Sequence, residues 1–200
     1  MQRYDEILAY WFGHVEETIV PSKERARIWF STEHEVDAEI RDLFKQDFEM
    51  AVNGQCFKWL EEPRGQLALI LIYDQFARHF YRGQAQAFVY DQMAVSICLS
   101  GIEREHDHQL SLIERVYYYF PLLHAEDLAL QQQSIFMYRS IVDLSLQETR
   151  GVFESFLEFA EHHYEVIRRF GRFPQRNEWL KRQSTAEELI YLTEYLQDQS

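Results

Sequence analysis

Arg168, Arg169, Arg172 and Arg176 fall within the ten residues RRFGRFPQRN (168–177), in a chain whose formal net charge is −13. A planar guanidinium grips a carboxylate or phosphate through two parallel hydrogen bonds, so such a cluster is suited to holding an anion. It is equally suited to locking a helical core, by donating to free carbonyls at helix ends. Gly171 and Pro174 frame Arg172; one permits a left-handed helix stop and the other prevents an immediate restart. The stretch reads as a rigid cationic corner between Phe170 and Phe173.

Acid–base chemistry needs polar groups on faces otherwise assigned to the core. Asp74 follows Leu67, Ile70 and Leu71 by seven, four and three residues, so on a helix it shares their face, with Arg78 one turn further on. A carboxylate there must be paired or take up a proton. A buried Asp74–Arg78 pair is one reading; a general base or metal ligand on a pocket wall is the other. His163 lies four residues after Phe159 and four before Ile167, on the inner stripe, while His162 points elsewhere. It is either a core histidine donating to a carbonyl or carboxylate, or a group that titrates usefully near neutral pH. His124, Glu126 and Asp127 follow Pro121 at an expected helix start, where the macrodipole favours acids. Convergence of His124, Glu126, His163 and Asp74 would make a metal site, but no HExxH or CxxC spacing supports one, and neither metal nor cofactor is expected. No phosphate-binding loop, dinucleotide fingerprint or GxSxG elbow occurs.

The elements that must position these groups are helices. Tyr4, Ile7, Leu8, Trp11 and Phe12 mark one buried helix face. A short helix opened by Pro21 is expected to Phe30, and another over Val36–Val52 with Ile40, Leu43, Phe44 and Phe48 inward and Asn53-Gly54 as its stop. Pro63 opens a helix whose run LALILIY is apolar on all sides and therefore central, ending at Arg82-Gly83. Asp91 is the expected N-cap of a helix to Gly101, and Ser111 with Glu114 has capping-box spacing. Further helices are expected after Pro121 from about His124 to Val142, over Phe153–Phe170, and from a Ser184 or Thr185 cap to near Gln197. About eight helices with short connections and no linker read as one domain over 1–200, with helices free to stack as antiparallel pairs.

Composition agrees. Fifteen Phe, twelve Tyr and four Trp suit a helical core packed through large side chains, while seven Gly and four Pro are too few for an all-β chain. The acidic balance argues against nucleic acid as a partner. Cys56 and Cys98 form no close-spaced motif and suggest free thiols in a reducing cytoplasm. The first residues, MQRYDEILAYWFG, carry acids where a secretory segment is apolar, and the apolar run Leu67–Tyr73 is too short for a membrane span.

The segments ILAYWFG (7–13), PRGQLALILIYDQFARHFYRG (63–83), ERVYYYFPLLHAEDLALQ (114–131) and FAEHHYEVIRRFGRFPQRN (159–177) together resemble the bacterial domain of unknown function 924 family. The resemblance covers nearly the whole chain, in order. It implies an all-α fold of antiparallel helix pairs stacked in an irregular array similar to tetratricopeptide repeats, and no established activity. Its motif positions fall on Asp74, Gln75, Arg78, Arg82, His124, Glu126, His163, Arg172, Arg176 and Asn177. Ala77 departs from a common Pro, His79 from a common Asn and Gln175 from a common His. The last weakens any mechanism that needs a histidine in the turn, and the first suggests a central helix that ends less abruptly.

Three readings follow. In the first, a groove binds an anionic peptide or small metabolite through Arg78, Arg82, Arg172 and Arg176, with Glu126 and Asn177 completing the polar set and Tyr81, Phe170 and Phe173 as aromatic walls. In the second, Asp74, His124 and His163 share one closed pocket, as acid and base of a metal-independent hydrolase or isomerase acting on a phosphorylated or carboxylated small molecule. In the third, Arg172, Arg176 and Asn177 only tie the last helices to the centre.

Overall fold

A computed structural model of the chain describes residues 2–13, 23–30 and 34–198, and among these the regular elements are all helical. Besides four short 3-10 turns they are, in order, α1 (Arg3–Phe12), α2 (Lys23–Phe30), α3 (His34–Val52), α4 (Pro63–Ile70), a π-helical turn (Leu71–Phe76), α5 (Ala77–Phe80), α6 (Asp91–Glu103), α7 (Leu112–Tyr118), α8 (Phe120–His124), α9 (Leu128–Leu144), α10 (Arg150–Phe170) and α11 (Ala186–Asp198). Pro21, the expected opener of the second helix, lies outside the described residues.

Apolar spacing decides which helix is central. α1 buries Ile7, Leu8, Trp11 and Phe12, one face only. From Leu67 to Tyr73 every residue is buried, so this stretch must be covered on all sides. It is: α4 packs on α1, α6 and α7, and the π turn and α5 pack on α3. Each large apolar side chain so enclosed contributes about 1.5–3 kcal/mol. Pro63 sits in the first turn of α4, where its missing N–H costs no hydrogen bond. Gly101 of α6 allows a close approach, since a Cβ there would stand 1.6 Å from the Tyr118 hydroxyl, which donates to Gln66 Oε1 of α4.

The π turn is what periodicity alone does not anticipate. The Ala77 N–H reaches back to the Ile72 carbonyl, five residues earlier, and the widened turn leaves the Asp74 carbonyl to accept from Arg78 Nη1 at 2.7 Å. Such turns are rare and concentrate at functional sites. Ala77 has the N–H that the bond to Ile72 needs, and the helix continues to Phe80.

Boundaries around His124 differ from expectation. Pro121 lies in the first turn of α8 rather than between helices, and His124 ends α8 rather than opening the next helix. α9 begins only at Leu128, because Asp127 is the cap, accepting from the Leu130 N–H at 2.9 Å. Asp91 is the first residue of α6, not its cap, and its carboxylate is used elsewhere. Leu43, read as inward, is 49% exposed. The capping boxes at Ser111–Glu114 and Thr185–Glu188 form, and α10 ends on Gly171 in the left-handed region at φ 68°.

α9 and α10, joined by residues 145–149, lie side by side as a hairpin, an arrangement compatible with stacked helix pairs. Val166, Ile167 and Phe173 form a second, small apolar cluster with Phe170 and Tyr191. No helix among the described residues is long and apolar enough to cross a membrane.

Candidate functional site

Asp74, carried by the π turn, is fully buried. Both its oxygens lie against His124 Nδ1, at 2.8 and 2.9 Å, and Arg78 Nη2 is 3.3 Å from Oδ1. Gln75 Nε2 donates to Oδ2. The expected Asp74–Arg78 pair is therefore present, with His124 as a further partner. Burial alone would raise the Asp74 carboxyl, but Arg78 and His124 outweigh it and hold the group below the usual carboxylate range. Burial lowers His124, and Arg78 reinforces this against the pull of Asp74. At neutral pH the pair is thus a carboxylate accepting from the Nδ1–H of a neutral imidazole, which leaves Nε2 with its lone pair.

Arg78 also donates to both oxygens of Asp91, at 2.9 and 3.3 Å. Arg176, from the turn Pro174–Arg176 after α10, reaches Asp91 Oδ2 at 3.4 Å and the His124 carbonyl at 3.0 Å. Phe88 lies 5.6 Å from the Arg78 guanidinium and 4.7 Å from that of Arg176, and Phe173 lies 4.6 Å from the latter. Burial and the neighbouring Arg78 lower Arg176 to about 10, so it remains charged at pH 7. Two arginines and two carboxylates offset one another here.

The other predicted residues are elsewhere. Arg82 pairs with Asp37 of α3, with both contacts at 2.6 Å, beside His79. Arg172 pairs with the buried Glu188, at 2.6 and 2.7 Å, and that contact holds Glu188 down to about 2. Glu126 accepts from the Phe173 N–H and from Arg182, and Asn177 bonds Ser184, Glu188 and Arg182. This second network fastens the RRFGRFPQRN turn to α11 and to the α8–α9 link. Four separate arginines lining one groove are therefore not what the fold builds, because a chain this acidic supplies a carboxylate to each of them. Arg182, which no motif singled out, is central to that network.

His163 is also set apart. Its Nδ1 is 2.8 Å from the Phe159 carbonyl, one turn back, and its ring centre is 6.3 Å from that of His124. It lines a cavity of about 260 Å³ with His162, Val166, Phe173, Gln175 and Tyr191, whereas His124 faces another. Burial and the His124 side lower His163 to about 3. The three proposed acid–base groups thus do not share one pocket: Asp74 and His124 form a dyad, and His163 is a neutral neighbour.

His124 opens on a cavity of about 560 Å³ between α10 and the ends of α2, α7 and α8. Gln75, Arg78 and His124 form its polar end. Trp29, Phe30, Tyr117, Phe120, Val152, Phe156 and Phe159 form its walls, with Ser155 among them. The sequence reads Tyr117, Phe120 and Phe159 as core, and nothing in the spacing marks an α10 wall that the other described helices leave uncovered. Asp91, read as a cap, gives no sign in sequence of its arginine partners.

Known proteins place the chain without assigning a reaction. No curated protein matches it. A solved structure, that of the protein of unknown function ATU0120 from Agrobacterium tumefaciens, is similar at 33% identity and a TM-score of 0.79, covering 96% of this chain and 97% of that one. The family model described as bacterial protein of unknown function (DUF924) matches residues 7–195, and the chain belongs to that family.

Proposed function

We propose that the protein binds a small, mainly apolar molecule in the aromatic cavity, with one polar end on Gln75, Arg78 and His124. The cavity itself carries this reading: about 560 Å³ lies within the range typical of small-molecule sites, and apolar walls surround a few convergent polar groups. The preference is for a carboxylate or carbonyl over a phosphate. Arg78 already serves Asp74 and Asp91, so the polar end holds no surplus positive charge for a dianion. A small molecule fits better than a peptide, because the polar groups converge at one end. The two free, buried cysteines agree with the cytoplasmic setting that the proposal assumes.

Titration calorimetry with acetate, butanoate, hexanoate and octanoate tests this. Each added methylene buried against the walls should strengthen binding by about 0.8 kcal/mol, roughly fourfold, until the cavity is filled. Ser155→Trp, which plugs the cavity from an exposed position, should abolish binding. Affinity independent of chain length, or untouched by the plug, refutes the reading.

A further inference from the structure

We infer that His124 is a general base toward the bound molecule and that the cavity hydrolyses carboxylic esters with an apolar acyl group. This inference rests on the binding site proposed above and adds a reaction to it. Asp74 fixes the imidazole through Nδ1, at 2.8 and 2.9 Å, so the basic nitrogen is Nε2, for which the described residues supply no partner. Asp74 itself is fully buried and cannot touch a substrate; it is a positioning residue. The groups that face His124 are Asp74, Arg78, His163 and Arg176, the last through the His124 carbonyl.

Water is the nucleophile. The cavity rim includes Phe30 and Phe159, 62% and 45% exposed, so solvent reaches it, and the one hydroxyl nucleophile on the α10 wall, Ser155, bonds the Gly151 carbonyl instead. A wet mouth disfavours an enolate intermediate, which water would reprotonate at random, and favours hydrolysis. In the first step Nε2 takes a proton from water while the water oxygen bonds to the acyl carbon. The single negative charge develops on the wall that carries Arg78 and the Gln75 amide, which keeps a second N–H beyond the one on Asp74. The bond from the acyl carbon to the alcohol oxygen then breaks, and the proton on Nε2 passes to that oxygen. Ester and water become acid and alcohol, and His124 is restored.

The test is hydrolysis of p-nitrophenyl hexanoate by the wild-type chain, His124→Gln, Asp74→Asn and Ser155→Trp, each checked for native circular dichroism. Wild type should exceed an equal concentration of free imidazole. His124→Gln should lower kcat by about 10²-fold or more with little change in KM. The wild-type rate should fall with acid through one ionisation below the ordinary histidine value, and Asp74→Asn should move that inflection lower still, because the carboxylate raises His124. A merely structural Asp74 would leave the inflection in place. The plug should remove the activity, separating it from surface histidines. Wild-type hydrolysis no faster than imidazole, a folded His124→Gln with the wild-type rate, or activity that survives the plug each overturns the inference. If the rate fails while hexanoate still binds, only the reaction falls; if hexanoate does not bind, the binding site falls with it.

Discussion

Lowering the pH from 8 to 5 should destabilise the protein through His163, by an amount the structure sets. The ring is held neutral by burial, with His124, His162 and Arg176 nearby, and its value in the fold is about 3. In the unfolded chain it is about 6.5. Between those values the unfolded state binds one proton more than the folded state, so stability rises with pH across the window and is lost as pH falls below about 6.5. Integrating to pH 5 gives about 2 kcal/mol, since one proton contributes about 1.4 kcal/mol per pH unit. For a chain of this length that lowers Tm by roughly 4–8 °C. The carboxylates do not confuse the window. Asp74 and Glu188 are depressed, so their contributions are complete above ordinary carboxylate values and are lost only as pH falls further toward their folded values. His79 and His124 are also lowered by burial, and they add slope of the same sign. The comparison is therefore between wild type and His163→Gln, by urea denaturation at pH 8, 6.5 and 5. The wild type should lose about 2 kcal/mol more than the variant. Parallel losses in the two proteins refute the reasoning and mean that His163 is protonated in the fold.

Other consequences are simpler to measure. Gly101→Ala drives a methyl group into the Tyr118 hydroxyl and should cost about 1–3 kcal/mol in chemical denaturation. Arg172→Ala leaves the buried Glu188 without its guanidinium and should lower stability in chemical denaturation, yet leave the affinity for hexanoate unchanged, since Arg172 is on Glu188 and not in the cavity. Arg78→Ala should weaken hexanoate binding as well as stability, because Arg78 lines the cavity and pairs with Asp74 and Asp91. Cys98, fully buried and with its thiol raised by burial, should react with Ellman's reagent only on unfolding; fast reaction of the native protein at Cys98 contradicts the packing of α6.

Much of the fold is legible in the sequence because burial has a period. The one-sided face of α1 and the all-round apolar stretch at Leu67–Tyr73 are read correctly from spacing, and so are the capping boxes and the Gly171 stop, which depend on local hydrogen bonds. The π turn is not legible, because one extra residue in a turn is stabilised by tertiary partners such as Arg78 on the Asp74 carbonyl. The site is legible in part. Asp74 and Arg78 betray themselves as polar groups on an apolar face. Their partners His124, Asp91 and Arg176 come from α8, from the start of α6 and from the turn after α10, and no local rule links such distant positions. The arginine-rich turn has two readings in sequence, an anion site or a lock on the helical core. Its charge suggests an anion, but acids of α11 occupy Arg169 and Arg172, and Glu126 of the α8–α9 link takes the nearby Arg182. An aromatic wall that no described residue covers looks in sequence like an aromatic wall that is covered.

Nitrogen NMR of the His124 imidazole tests the central claim, that a neutral histidine held by Asp74 presents Nε2 to a ligand cavity. At pH 7 the expected result is a proton on Nδ1, an unprotonated Nε2, and a shift of the Nε2 resonance when octanoate is added, absent in Ser155→Trp. A protonated Nε2, or an Nε2 resonance indifferent to octanoate, contradicts it.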